Sequence, residues 1–342
     1  MKYIEINDLK PGMITMKSIY NDRGICLLAR NKILTNRIIN QIKKMGYDGL
    51  YIYDEYSNYE ELEEIVSEQV RLKIKKEMKS LNIDKVLFLT NEIVDSILNA
   101  DDLCLDFTDL RSYHNYTYYH SINVTMLAVA CGIGMGLNNE KLTELASAAM
   151  LHDIGKSGIG IEILDKPGKL TDEERQIINM HPKIGYNLLK DNDNIKSIVR
   201  VSVLSHHENE DGTGYPRNLT SNKIPLYAKI IHVADVYDAL CSKRSYKEDY
   251  SPSESIEYLM GNCGRMFDIN VVQNFIKYVV IYPVGTDVLL SNGEIAHVIK
   301  NRSNSVLRPV VMLKNKKILD LAMDPEYRTI TVVKQVNSKD FF

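Results

Sequence analysis

At 342 residues the chain exceeds one average domain, and its length predicts two or three. Hydrophobic residues at 44% and charged residues at 25% are the balance of a globular chain with a real core, which excludes a disordered or collagen-like protein. Lys and Arg number 42 against 45 Asp and Glu, a formal charge of −3, so no global basic field points to a nucleic-acid polymer as partner. No stretch reaches the roughly 18 uninterrupted apolar residues of a membrane span. The segment MKYIEINDLKPGM meets acids and a proline too early for a secretory signal. Five scattered cysteines (Cys26, Cys104, Cys131, Cys241 and Cys263) include no CxxC pair, the pattern of reduced, buried side chains rather than of a disulfide framework or a zinc site. A soluble, cytoplasmic, multi-domain protein is expected, with no membrane partner.

Residues 1–57 read as a small α+β module. Short apolar runs at 3–6, 13–19 and 25–29 flank the turn signals Lys10-Pro11-Gly12 and Asn21-Asp22-Arg23-Gly24. Thr35 is placed to cap a short helix through Ile38, Ile39 and Ile42, Gly46 to stop it, and a strand from Leu50 to Tyr53 follows. Residues 58–83 predict a connecting helix. Glu60, Glu61, Glu63, Glu64 and Glu68 crowd its first half and Arg71, Lys73, Lys75, Lys76 and Lys79 its second, an order that suits the helix dipole. Leu62, Val66, Val70 and Ile74 supply an apolar stripe. A helix packed on its own domain is the simpler account of it, and a signalling or dimerisation helix the alternative.

Residues 84–280 are helical in pattern nearly throughout, broken by polar loops at 101–112, 155–171 and 208–225. Thr171-x-x-Glu174 is a capping box, and Pro182 falls where a proline opens a helix. Residues 281–342 change texture. VLLSNGEIAHVIK is two β runs around Asn292-Gly293, a hairpin signal, followed by RPVVMLK, ILDLAMD and TITVVKQV. The expected fold is multi-domain and mainly α, a central all-helical domain between a small N-terminal α+β module and a small C-terminal β module.

Seven of the eight histidines (114, 120, 152, 181, 206, 207 and 232) lie in the helical segment, beside Asp153 and Asp235. Imidazole mixed with carboxylate, and no thiolate, suits iron, manganese or zinc in a hydrolytic site. Singly, each claim is weak. A His-Asp pair arises often by chance, His114 and His297 read as surface or satisfied histidines, and His232 reads as structural. Together the set is too dense for packing alone. Neither a GxxxxGK(S/T) loop nor a Ser-His-Asp or Cys-His arrangement competes with it.

HDIGK at 152–156 and HHENEDGTGYP at 206–216 resemble the HD-GYP domain, a branch of the HD metal-dependent phosphohydrolases. YTYYHSINV at 116–124, GKLTDEE at 168–174, MHPKIGYNLL at 180–189 and AKIIHVADVYDALCSKRSYKEDYSP at 228–252 agree, so the resemblance extends over residues 110–275. It implies an all-helical HD-type domain that hydrolyses cyclic di-GMP to pGpG, GMP or both. It also implies two divalent metal ions, iron or manganese, held by His120, His152, Asp153, His181, His206, His207 and Asp235, with Asp153 as the bridge. Lys156 matches the lysine that touches the scissile phosphate, and Arg244 and Lys247 match the family's substrate-phosphate contacts. Members that hold three metals resemble one another in a glutamate one turn before the first histidine; here Tyr116 stands there, which favours two. Glu208 belongs to the motif either as a ligand or as an orienting group. The Gly214-Tyr215-Pro216 loop shapes the pocket wall or offers a surface to a partner, a GGDEF-type protein, and a homodimer is a further candidate assembly.

Physically, a phosphodiester is anionic and resists neutral water. Two cations bridged by one carboxylate answer both difficulties, giving hydrolysis through a metal-bridging hydroxide, with Lys156 and Arg244 meeting charge on the phosphate oxygens. Two alternatives stand beside this reading. One is an HD phosphohydrolase acting on another nucleotide, which HDIGK alone fits and the long GYP motif does not. The other is a non-catalytic cyclic di-GMP receptor or signalling partner, which would be expected to lack ligands that are present here.

Overall fold

The computed structural model describes residues 2–21, 25–47, 49–54, 57, 65–100, 105, 116–166, 168–241 and 250–336. They fall into two compact units, one drawn from Met1–Leu72 and Val280–Phe342, the other from Lys73–Leu105 and Tyr116–Val279.

The N-terminal part of the first unit contains β1 (Lys2–Glu5), β2 (Ile19–Tyr20), β3 (Cys26–Leu28), α1 (Asn36–Lys44) and β4 (Gly49–Ile52). β1 pairs antiparallel with β4, and β2 with β3. The side chain of Thr35 accepts from the Ile38 amide to start α1, and Gly46, at φ +79°, turns the chain out of it. Ile42 then packs with Leu9, Ile19, Leu34, Leu50 and Ile52 in a small core. The turn at 22–24 lies outside the described residues, as does the acidic half of the connecting helix at 58–64. From that helix α2 (Glu68–Lys79) is described; it ends before Leu81, which is left-handed at φ +53°.

The C-terminal part of the first unit is a five-stranded antiparallel sheet. It comprises β5 (Asp287–Leu290), β6 (Ile295–Lys300), β7 (Val310–Leu313), β8 (Ile318–Asp320) and β9 (Val332–Val336), in the order β8-β7-β6-β5-β9. The Asn292-Gly293 hairpin forms as its sequence predicts, with Gly293 at φ +86°. Val288, Leu290, Val298, Val311, Leu313 and Leu319 build the core beneath it. His297 Nδ1 lies 2.9 Å from Asp287 Oδ1 on the neighbouring strand, so this histidine is satisfied locally.

The second unit is helical: α3 (Ile83–Leu98), α4 (Tyr116–Gly134), α5 (Asn139–Leu151), α6 (Ile161–Leu164), α7 (Asp172–Ile178), α8 (His181–Leu189), α9 (Ser197–Ser205), α10 (Leu226–Cys241), α11 (Pro252–Gly261) and α12 (Ile269–Phe275). Asn82 caps α3, and the box between Thr171 and Glu174 opens α7 as expected. α4 packs against both α5 and α10. Ile122, Val124, Met126, Leu127, Ala128 and Val129 point in all directions from α4 and are all buried, which makes α4 the central helix. α10 is buried in the same way through Ile230, Ile231, Val233, Ala234 and Tyr237. At about 1.5–3 kcal/mol for each large apolar side chain, these two helices form a rigid frame. His120, Asn123, Asp235 and Asp238 are therefore polar groups set into apolar packing, where they need partners. Among the described residues no helix is long and apolar enough to cross a membrane.

Where the sequence predicts a loop from 155, the chain makes a 3₁₀ turn (Ile154–Gly158) and then α6. That turn lies directly on the first turn of α8. A Cβ on Gly155 would collide with the His181 carbonyl oxygen and stand 2.5 Å from the Gly185 amide nitrogen. Both obstacles are backbone and cannot rotate aside. Gly155→Ala is accordingly expected to destabilise this unit at the upper end of the overpacking range of about 1–3 kcal/mol. Thermal unfolding checks it, and an unchanged midpoint would contradict the close approach.

Candidate metal centre

Helix ends deliver most of the site. His152 follows the last residue of α5, with Asp153 just before the adjoining 3₁₀ turn and Lys156 within it; His181 opens α8, and His206 and His207 follow the last residue of α9. His120 and Asp235 come instead from within α4 and α10. The structure brings the seven expected metal donors and Lys156 together in the second unit.

Asp153 lies at the middle. Its Oδ2 is 3.4 Å from His152 Nε2 and 3.8 Å from His120 Nε2, while its Oδ1 is 3.3 Å from His181 Nε2. His181 Nε2 is 3.2 Å from His206 Nε2, and His120 Nε2 is 3.0 Å from Asp235 Oδ1. Asp235 Oδ2 lies 3.9 Å from His207 Nδ1. Two sets of donor atoms each cluster within 4.8 Å, one from His120, His152 and Asp153, the other from His181, His206 and His207.

The imidazoles are aimed by their second nitrogens. His152 Nδ1 lies 2.7 Å from the Ala149 carbonyl, His181 Nδ1 2.8 Å from Ile178, and His206 Nδ1 2.7 Å from Val203. A carbonyl only accepts, so each Nδ1 carries the proton and each Nε2 presents its lone pair to the cluster. His120 Nδ1 lies 2.7 Å from a carboxylate oxygen of Asp238, whose other oxygen accepts from Asn123 Nδ2 at 2.9 Å. The sequence reading missed Asp238 and Asn123. The available signal was spacing, since each stands three residues after a predicted ligand, on the same helix face.

Burial holds the imidazoles of His206 and His207 well below the ordinary histidine range, with neighbouring imidazoles adding to it at His206, and burial likewise lowers His181. These rings are neutral at pH 7 and ready to donate. His120 goes the other way: burial opposes its charge, but its bonds to Asp235 and Asp238 outweigh that and raise it to about 10. Asp153 sits well below the usual carboxylate range although burial works against ionisation, because Lys156 and His152 outweigh it. Lys156 Nζ donates to Asp153 Oδ2 at 2.6 Å. Side-chain exposure climbs from 0% at His152 to 21% at His207 and 31% at Lys156, so the cluster opens to solvent on that side.

Glu208, left between two roles by the sequence, is turned to the loop. Its carboxylate accepts from the backbone amides of Arg217 at 2.7 Å and Leu219 at 2.8 Å. Tyr215 stacks on the His207 ring at 4.7 Å between centroids. A Cβ on Gly214 would collide with the Asn209 nitrogen and the His207 carbonyl, so this glycine is required by the fold of the loop onto its own motif. His232 is buried against Phe267, 5.0 Å between centroids, and stands behind His207 at 6.4 Å, outside the two donor clusters. Arg244, Lys247, His114 and Cys104 lie outside the described residues, as does the side chain of Tyr116.

The donor set fits divalent cations on its own terms. His152 Nε2 and Asp153 Oδ1 are buried with no hydrogen-bond partner, a costly state that a cation between imidazole and carboxylate relieves. The model of the HD domain family matches residues 102–271. Over 223 residues the chain is 39% identical to the cyclic di-GMP phosphodiesterase PA4108 of Pseudomonas aeruginosa, covering 65% of this chain and 54% of that one. It is 36% identical over 208 residues to the cyclic di-GMP phosphodiesterase PdeB of Borreliella burgdorferi, covering 60% and 55%. It is 42% identical over 144 residues to the cyclic di-GMP phosphodiesterase response regulator RpfG of Xanthomonas campestris, covering 42% and 38%. The chain thus spans about half the length, or less, of these curated relatives. Through residues 102–271, with the motifs at 152–156 and 206–216, the chain belongs to the HD domain family, in its HD-GYP branch.

Proposed function

We propose that this chain is a metal-dependent phosphodiesterase that hydrolyses cyclic di-GMP to pGpG, GMP or both. The observation that carries the reading is the double-facing carboxylate of Asp153. One oxygen lies toward His152 and His120 and the other toward His181, so a single residue serves both donor clusters. The names of the curated relatives point to the same substrate.

His120, His152, Asp153, His181, His206, His207 and Asp235 would hold two divalent cations, iron or manganese. Bound there, the cations would supply Lewis-acid activation of water and neutralise phosphate charge. Asp235 lies between His120 and His207, 3.0 Å from the first ring and 3.9 Å from the second. His152 and His206 are fully buried and keep bulk water from the inner side. Lys156, at the open side and tied to Asp153, places a positive charge beside the scissile phosphate. Arg244 and Lys247 belong to the same reading as contacts for the substrate phosphates, and Tyr116 to a count of two cations. Docking of a GGDEF-type protein on the Gly214–Pro216 loop, a homodimer and a cytoplasmic location complete the proposal. The exposed Arg217 and Asn218 beside that loop leave room for a partner.

The deciding experiment incubates purified, reduced protein with Fe(II) or Mn(II) and cyclic di-GMP and separates the products by chromatography. Metal-loaded protein that binds the dinucleotide without cleaving it would instead establish a receptor. Asp153→Ala is expected to lose metal and at least about 100-fold in turnover, measured by metal analysis and rate together. Lys156→Ala is expected to keep its metal and lose about 10²–10³-fold in kcat, since it removes charge stabilisation and no ligand. Glu208→Ala is expected to keep the metal count and lose about 1–3 kcal/mol of stability, because two loop amides lose their acceptor. Loss of metal from that variant, seen in the same analysis, would make Glu208 a ligand.

A further inference from the structure

We infer that Asp238 is a positioning residue that makes the two cation positions unequal, by holding His120 and so strengthening the position formed with His152 and Asp153. The inference rests on the reading of the cluster as a metal centre and extends it to residues outside the proposed ligand set.

His152, His181 and His206 are each oriented by the carbonyl three residues earlier. That is possible because Ala149, Ile178 and Val203 stand in the last turn of α5, α7 and α9, where carbonyls keep accepting capacity to spare, the Ala149 carbonyl being shared only with the His152 amide at 3.5 Å. His120 has no such resource. It is the fifth residue of the 19-residue α4, where the preceding carbonyls are consumed by the helix itself. Its orienting acceptor must come from another element, and α10 supplies it.

Two i,i+3 pairs face one another. His120 and Asn123 project from α4, and Asp235 and Asp238 from α10. Asp235 lies 3.0 Å from His120 Nε2, Asp238 lies 2.7 Å from His120 Nδ1, and Asn123 holds the second oxygen of Asp238 at 2.9 Å. Asp238, Asn123 and His120 are all buried in otherwise apolar packing, so the ring has no freedom to turn.

A carboxylate on the far nitrogen makes an imidazole a stronger donor than a carbonyl does. The position near His120 therefore combines the best donor ring with Asp153 and Asp235, and Asp238 stands directly behind that ring. The position near His181, His206 and His207 is built from imidazoles, two of them backed only by backbone carbonyls, with Asp153 reached through its other oxygen. The two positions are expected to fill in order, the carboxylate-rich one first.

The test uses the full metal-free chain and Mn(II) as probe, with stepwise affinities from calorimetry and the metal-free unfolding midpoint from thermal denaturation. Wild type is expected to bind in two distinguishable steps. Asp238→Asn keeps the shape and a hydrogen-bond acceptor but removes the charge. It is expected to weaken the tighter step about 10–100-fold and to leave the second step within about threefold, with little change in the metal-free midpoint. Should that variant fail to fold, Asn123→Ala reports on the same device through a smaller loss, about three- to tenfold, confined to the tighter step. Both steps weakening together, or neither changing, overturns the inference. A wild-type chain that takes up no Mn(II) overturns the metal-centre reading and the inference with it.

Discussion

A carboxylate buried in a helical unit, Asp153, sets the conditions for the residues around it. Burying an unpaired anion costs several kcal/mol even after relaxation, so positive or metal-bound partners must surround it. Lys156 supplies one such partner at 2.6 Å from within the 3₁₀ turn that follows Asp153. The others arrive from three different helices, as His120, His152 and His181. To bring His181 so close, the turn carrying Asp153 must lie directly against the start of α8. Only a glycine at 155 permits that approach, because the His181 carbonyl occupies the space of any Cβ. The glycine of HDIGK is thus a consequence of the aspartate two residues before it.

The architecture divides the work between helix interiors and helix ends. Helix interiors are rigid and well packed, but their backbone groups are spent, so His120 and Asp235 depend on side chains from the facing helix. Helix ends offer carbonyls with accepting capacity to spare, so His152, His181 and His206 can be aimed by backbone alone. Such aiming is cheap in sequence terms, since any residue at 149, 178 or 203 supplies the carbonyl. It is also electrically weaker, since a carbonyl carries only a partial charge. Sites assembled from both sources inherit an asymmetry that their ligand types alone do not reveal.

That division also explains what was legible before the structure. The seven predicted donors meet at one place, because histidines and aspartates dense in an otherwise apolar helical pattern have little else to do. Capping signals at Thr35 and Thr171 and the Asn292-Gly293 hairpin were equally readable, since each depends on a few adjacent residues. Asp238 and Asn123 were not read, because their meaning lies in the meeting of α4 and α10, 115 residues apart in the chain. Glu208 was open for a related reason. Its position beside His206 and His207 suggests ligation, whereas its carboxylate is committed to amides nine and eleven residues downstream. The loop predicted from 155 to 171 begins instead with helical turns, since packing against α8 imposes order that local propensity does not.

The length of HHENEDGTGYP follows from the same logic. Its first two residues reach into the cluster, and the rest build a clamp on His207. Glu208 holds the loop by two amides, Asp211 accepts from both the amide and the hydroxyl of Thr213, and Gly212 turns the chain at φ +80°. Glu210 is anchored at 3.0 Å by Lys229, which also grips Asp268 at the start of α12. Gly214 then lets the chain pass against the backbone of residues 207–209, which brings Tyr215 flat onto the His207 ring. His207 is the most exposed of the clustered imidazoles, and of all of them it most needs support from outside the helices. A His-Asp pair specifies little because it needs only two residues at a helix end. The longer motif specifies much because each of these contacts constrains a residue, and together they decide how far the cluster stays open to solvent.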